Sequence, residues 1–151
     1  MKLKSSDFAD QQPIPARYTG EGENVSPPLS WEEVPPGTKS LALICDDPDA
    51  PGGVFTHWII FNIPPDRSDL PEAVDKDSRL PDGSRQGNTS YGRSGYSGPH
   101  PPPGKPHRYY FSLYALDQML NLEAGASRQQ VLEAIQGHIR ASTQLMGIYQ
   151  R

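Results

Sequence analysis

The apolar positions of this chain gather into short runs that Pro, Gly and Asp cut off. Residues 40–45 form a continuous apolar run ending at Asp46-Asp47-Pro48, and its brevity predicts a strand buried on both faces. Residues 54–63 are rich in β-branched and aromatic side chains and stop at Pro64-Pro65, which predicts a second strand. A third spans residues 107–116, opening just after Pro106 and carrying Tyr109, Tyr110, Phe111 and Tyr114. Residues 142–149 alternate well enough for a last strand. One helix stands out over residues 127–139. Ser127 followed by Gln130 reads as a capping box, and Val131, Leu132, Ile135 and Ile139 keep the helical spacing. Fainter patterns predict strands at residues 3–8, 17–19 and 29–31.

The rest reads as loop, and one loop dominates. Residues 82–106 hold 6 Gly and 5 Pro in 25 positions, which exceeds the ~12–15 residues usual for a structureless connection and points to function. Tyr91 and Tyr96 inside it argue that it packs. No internal repeat is present, and 151 residues suit one domain. Many strands, Pro-Gly turns and one late helix predict a mainly β fold, an antiparallel β-sandwich with a peripheral helix.

Composition narrows the function. The net charge of -4 argues against a nucleic-acid partner, which would need a basic footprint. A single cysteine, Cys45, excludes an internal disulfide framework and a cysteine-based zinc site, and its place in a strand marks it as core. The basic start, Met1 to Lys4, leads into no apolar stretch, so it does not read as a secretory signal. No run approaches the ~18 apolar residues that would span a bilayer. A cytoplasmic protein is expected.

Candidate chemistry sits at strand ends. By the two-residue period, His57 shares a face with Phe55, Ile59, Phe61 and Ile63, while His107 and Tyr109 share one with Phe111 and Leu113. Asp47 and Asp49 follow directly on the strand at 40–45. Each signal has a bland reading: a lone His on an apolar face is often a core residue, and Asp-Pro-Asp is ordinary turn chemistry. Together they allow three site types. His57, His107 and Asp49 could hold a catalytic zinc for a hydrolase. The imidazoles, the phenol and loop N–H groups could form an anion pocket, with carboxylates orienting the rings and keeping them protonated. Nucleophilic catalysis finds no Gly-x-Ser-x-Gly elbow. The Gly-Pro loop leading into His107 reads as a rigid pocket wall and tilts the balance to the anion pocket, with no cofactor.

Several motifs occur in register. They are Ser26-Pro27-Pro28-Leu29-Ser30-Trp31, Asp47-Pro48-Asp49-Ala50-Pro51, Thr56-His57-Trp58, Gly95-Tyr96-Ser97-Gly98-Pro99, Pro103-Gly104-Lys105-Pro106-His107-Arg108-Tyr109 and Leu113-Tyr114-Ala115-Leu116-Asp117. From about Ser26 to Arg151 the chain resembles the phosphatidylethanolamine-binding protein family, in its bacterial Raf-kinase-inhibitor-like branch. The resemblance implies a β-sandwich with an anion cavity at one end and no assigned reaction. It places ligand binding on Asp47, Asp49, His57, His107 and Tyr109, with Gly98 and Pro99 as adjoining wall. It implies a phosphate-like anion or phospholipid headgroup as ligand, with a regulated kinase or protease and a homodimer as further possibilities. The chain stops soon after Tyr149, where animal relatives continue into a helix over the pocket, so no lipid preference or kinase partner is carried over. Ala50-Pro51, in a tight turn between acidic and Gly-rich stretches, is a candidate cis peptide.

Overall fold

A computed structural model describes all residues, 1–151. Nine strands form two sheets, and the fold is mainly β with one short helix. The small sheet contains β1 (Lys2–Lys4), β3 (Leu29–Glu32) and β6 (Asp69–Leu70), in the order β1-β3-β6. The large sheet contains β2 (Gln12–Pro13), β4 (Ser40–Asp47), β5 (Phe55–Ile63), β7 (Arg85–Gln86), β8 (His107–Leu116) and β9 (Ile139–Tyr149). Its order is β2-β9-β8-β4-β5-β7, antiparallel throughout except that β2 runs parallel to β9.

The apolar run of β4 reflects burial on both faces. Leu41, Leu43 and Cys45 enter a main core that also takes Leu3, Trp31 and Leu70 from the small sheet. Ala42 and Ile44 enter a second core under helix α1 (Arg128–Ile135), together with Val131 and Ile135. A strand covered on both sides has no reason to alternate. β4 runs two residues past its apolar stretch because Asp46 and Asp47 still pair with Thr56 and Phe55.

β5 breaks the two-residue period twice. Cys45 opposes Trp58, but Asp46 opposes Thr56, so His57 is the extra residue of a bulge. Ile59 and Phe61 therefore join the core under α1, while His57 faces Phe55 and Tyr109. The shared face expected for His57, Ile59 and Phe61 is corrected by that extra residue. At Asn62, in the left-handed region with φ 56, the chain shifts again and returns Ile63 to the main core.

The segment 82–106 is packed. Gln86 bonds the indole of Trp58 and two carbonyls, those of Asp75 and Asp77. Tyr96 lies edge-on to Trp58 and donates its hydroxyl to the Tyr18 carbonyl. Three local expectations need correction. Residues 16–18 form a 3-10 turn, where a strand was read at 17–19, with Thr19 closing onto the Ala16 carbonyl. The helix ends at Ile135 because Gly137 takes φ 83, and Ile139 already opens β9 opposite Leu116. Every peptide bond is trans, Ala50-Pro51 included; Gly53, at φ 109, absorbs the turn and donates to the Ala50 carbonyl. No helix is long and apolar enough to cross a membrane.

The start of α1 is a capping box with both halves made: Gln130 N–H donates to Ser127 Oγ at 3.1 Å, and Ser127 N–H to Gln130 Oε1 at 2.9 Å. Ser127→Ala removes one half and should cost about 1 kcal/mol. Urea unfolding followed by circular dichroism measures it.

Candidate functional site

Antiparallel pairing sets the end of β4 beside the start of β8, and the bulge turns His57 of β5 toward the same point. Asp47, His57, His107 and Tyr109 thus line one cavity of about 200 Å³. The pleat divides the neighbouring aspartates. Asp46 faces the helix side, where it accepts from Thr56 Oγ1 at 2.8 Å and Arg128 Nε at 3.0 Å. Asp47 faces the cavity and is buried.

Asp47 is fully committed. Its Oδ1 accepts from the Asp49 N–H at 2.7 Å, closing the Asp-Pro-Asp turn, and its Oδ2 lies 2.6 Å from His107 Nδ1. That contact fixes the His107 ring and leaves Nε2 for the cavity. His57 is held by a different kind of partner. Its Nδ1 donates to the Ser97 carbonyl at 2.6 Å, and the ring stands edge-on to Tyr109. Burial pushes the His57 imidazole below its ordinary 6.5, and this outweighs the upward pull of the Ser97 carbonyl, Asp47 and Asp46. The expectation that carboxylates keep both rings protonated therefore fails for His57, whose cost of desolvation dominates. The Tyr109 hydroxyl is buried and makes no well-formed hydrogen bond, though it stands close to the Asp47 carboxylate; burial first, then the charge of Asp47 and its nearness as an acceptor, raise the phenol.

Three candidates lie elsewhere. The Asp49 carboxylate turns away to Arg108, accepting from its backbone N–H and Nε at 2.9 Å each and from Nη2 at 2.8 Å. That guanidinium holds its carboxyl at about 2. Asp49 lines a separate surface hollow with Lys105 and Ile148, on the other side of His107. It therefore orients no donor in the cavity, and the trio His57, His107 and Asp49 does not assemble as a ligand set. No group of three or more His, Cys, Asp or Glu side chains is arranged to hold a metal ion. Gly98 and Pro99 stand one layer behind the wall. Gly98 N–H donates to Asn24 Oδ1 at 2.7 Å, and the Pro99 carbonyl accepts from Gly20 N–H at 2.8 Å. The next three residues, His100, Pro101 and Pro102, are the ones that line the cavity.

Sequence reasoning also missed Phe55 and Tyr91 as lining residues. Phe55 stacks at a tilt on His57, and Tyr91 meets Phe55 edge-on at 4.8 Å between centroids. Tyr91 lies in the Gly-Pro segment already singled out, so the segment's path back to His107 was the available signal.

The mainly β scaffold carries a small polar-floored cavity at its strand ends, and the comparisons with known proteins agree on its lineage. The sequence profile described as phosphatidylethanolamine-binding protein matches residues 4–150, farther toward the N-terminus than the motifs reach. A UPF0098 protein of Methanothermobacter thermautotrophicus is 59% identical, with 100% of this chain and 99% of the relative covered. The UPF0098 protein YbhB of Escherichia coli is 38% identical, with 99% of each covered. Among solved structures, a phosphatidylethanolamine-binding protein homologue from Chlamydia trachomatis matches with TM-score 0.91 at 42% identity, covering 99% of this chain and 97% of that one. YbcL of Escherichia coli, described as a new member of the mammalian family, matches with TM-score 0.92 at 32% identity, covering 99% and 98%. The chain belongs to the phosphatidylethanolamine-binding protein family.

Two stability measurements probe the site. A Cβ at Gly98 would overlap the Tyr18 carbonyl oxygen, which is backbone and cannot swing aside, so Gly98→Ala should cost about 1–3 kcal/mol in urea unfolding. The His57 ring binds a proton less readily folded than unfolded. Below its ordinary 6.5 the unfolded chain takes up that proton first, so this group removes stability as pH falls. Wild type should therefore lose more stability than His57→Gln between about pH 7.5 and 5.5, compared by urea midpoints.

Proposed function

We propose that the cavity binds a small oxyanion of the phosphate class, free or as a headgroup, and that the protein acts by binding and not by turnover. We read the two sheets as the layers of a sandwich that carries this cavity at one end. The observation that carries the reading is the Tyr109 hydroxyl, buried without a well-formed hydrogen bond where two imidazoles converge. An unsatisfied buried hydroxyl costs about 1–3 kcal/mol, and a ligand oxygen would remove that cost. His107 is placed to help. With Nδ1 committed to Asp47, its Nε2 becomes a donor when the ring carries a proton, and an incoming anion favours that form. Phe55, Tyr91 and the prolines of the wall exclude water around those few polar atoms. A cavity of about 200 Å³ suits a tetrahedral anion, with the remainder of a larger ligand outside.

Binding of a protein partner at the same mouth is a second reading, favoured by the exposure of Tyr91 on the rim and of Val54 next to Phe55. Calorimetric titration with inorganic phosphate tests the first. His107→Ala should weaken binding about tenfold or more, and Tyr109→Phe should weaken it about three- to tenfold. Circular dichroism confirms that each variant is folded. Absence of phosphate binding by the wild-type protein would overturn the reading.

A further inference from the structure

The outer edge of β9 is closed over only part of its length. β2 pairs with it at Gly147 and Ile148 alone. Met146 turns its N–H to Asp10 Oδ1 at 2.9 Å and its carbonyl to the Gln11 N–H at 2.6 Å, both on the side away from β8. Along an antiparallel pair these directions alternate from residue to residue. The register with β8 is unbroken from Tyr110↔Met146 to Ala115↔Ala141, so Ser142 and Gln144 also turn their N–H and carbonyl groups outward. No other backbone bonds them, and both residues are exposed.

A bare edge is usually guarded by a charge, a proline or a bulge. Residues 141–145, Ala-Ser-Thr-Gln-Leu, carry no charge and no proline. The guards stand at the ends of this window. Arg140 is the extra residue where the register shifts, and Asp10 to Pro13 occupy the edge from Met146 onward. Arg140 is exposed and enters no salt bridge. On the α1 side of the window, Ser112, Tyr114, Ser142 and Gln144 bound a hollow of about 270 Å³. A second copy of the chain does not suit this edge. Pairing β9 on β9 about Thr143 sets Arg140 of one copy where Gln11 of the other already bonds Met146. A free extended segment brings no such flank.

We propose that residues 141–145 of β9 accept an extended segment of a partner protein as an added antiparallel strand. Its N-terminal end meets Asp10 and is basic, its C-terminal end meets Arg140 and is acidic, and an aromatic side chain between them reaches diagonally into the hollow. Main-chain hydrogen bonds to Ser142 and Gln144 hold the segment, and the two end charges fix its direction.

Two synthetic peptides of equal composition test this: acetyl-Lys-Val-Tyr-Val-Thr-Val-Glu-amide, and the same peptide with Lys and Glu exchanged. Amide hydrogen exchange followed by NMR reads the edge directly. In the free protein Ser142 and Gln144 should exchange about tenfold or more faster than Thr143 and Leu145, which bond to β8. The first peptide at millimolar concentration should slow Ser142 and Gln144 about threefold or more. The exchanged peptide should bind about threefold or more weakly, the low end for two exposed charge pairs. Ser142→Pro removes an outward N–H that the fold does not use. Its urea midpoint should stay near that of wild type while binding of the first peptide falls about fivefold or more. Arg140→Glu should erase the preference between the peptides, and it serves alone if the proline variant fails to fold. Protection of neither amide, equal affinity for the two peptides, undiminished binding by folded Ser142→Pro, or an unchanged preference in Arg140→Glu would overturn the proposal. A wild-type dimer in sedimentation with both amides already protected would also overturn it, because a second copy would then hold the edge.

Discussion

The contact between Asp47 and His107 is the constraint around which the site is built. A carboxylate taken out of water must be compensated, and Asp47 is compensated twice, by the imidazole and by the Asp49 N–H. The first of these ties the end of β4 to the start of β8. The second shapes the turn that carries Ala50 and Pro51 to the cavity edge. Asp49, held in that turn, is then free to take Arg108 from outside, so the strand ends are clamped from both sides of His107. Loss of Asp47 would leave an imidazole unheld and a turn unclosed, and no other side chain stands in for it.

Much of this architecture can be read from residue order alone. β8 runs over residues 107–116 as its pattern predicts, because Pro106 stops pairing on one side and the aromatic alternation holds to Leu116. Ser127 and Gln130 announce the start of α1 correctly. Its end is less legible, since Ile139 keeps the helical spacing yet belongs to β9, and a hydrophobic residue suits either element. His57 shows why a site is harder to read than a fold. A two-residue period assigns its side chain to one face, and a single bulge reverses the assignment. Nothing local in Thr56-His57-Trp58 signals that extra residue.

The wall of the cavity shows the same limit at longer range. Gly98 and Pro99 carry a family motif, yet their task is to let the segment pass close to Tyr18, and the cavity receives His100, Pro101 and Pro102 instead. Asp47 and Asp49 are equivalent in sequence, two carboxylates flanking one proline. Arg108 decides between them, and its reach depends on how the turn folds. Residue types were legible, while the direction each side chain takes depended on partners far away along the chain.

That distance has a kinetic meaning. His57 and Ser97 are 40 residues apart, Asp47 and His107 are 60 apart, and Tyr18 and Tyr96 are 78 apart. The turn from Asp47 to Asp49 is the local part of the cavity, and its closure by His107 and Ser97 is not. Loop-closure entropy must be overcome for each of these contacts before the others reward it, the regime in which folding is slow. Partly folded chains would hold β4 and β5, with their long apolar runs, before His57 and Asp47 find their partners. In such chains His57 and Asp47 would still be hydrated, and the cost of desolvating them would arise as the distant contacts close. The polar floor of the cavity is thus completed only by contacts between residues far apart in the chain.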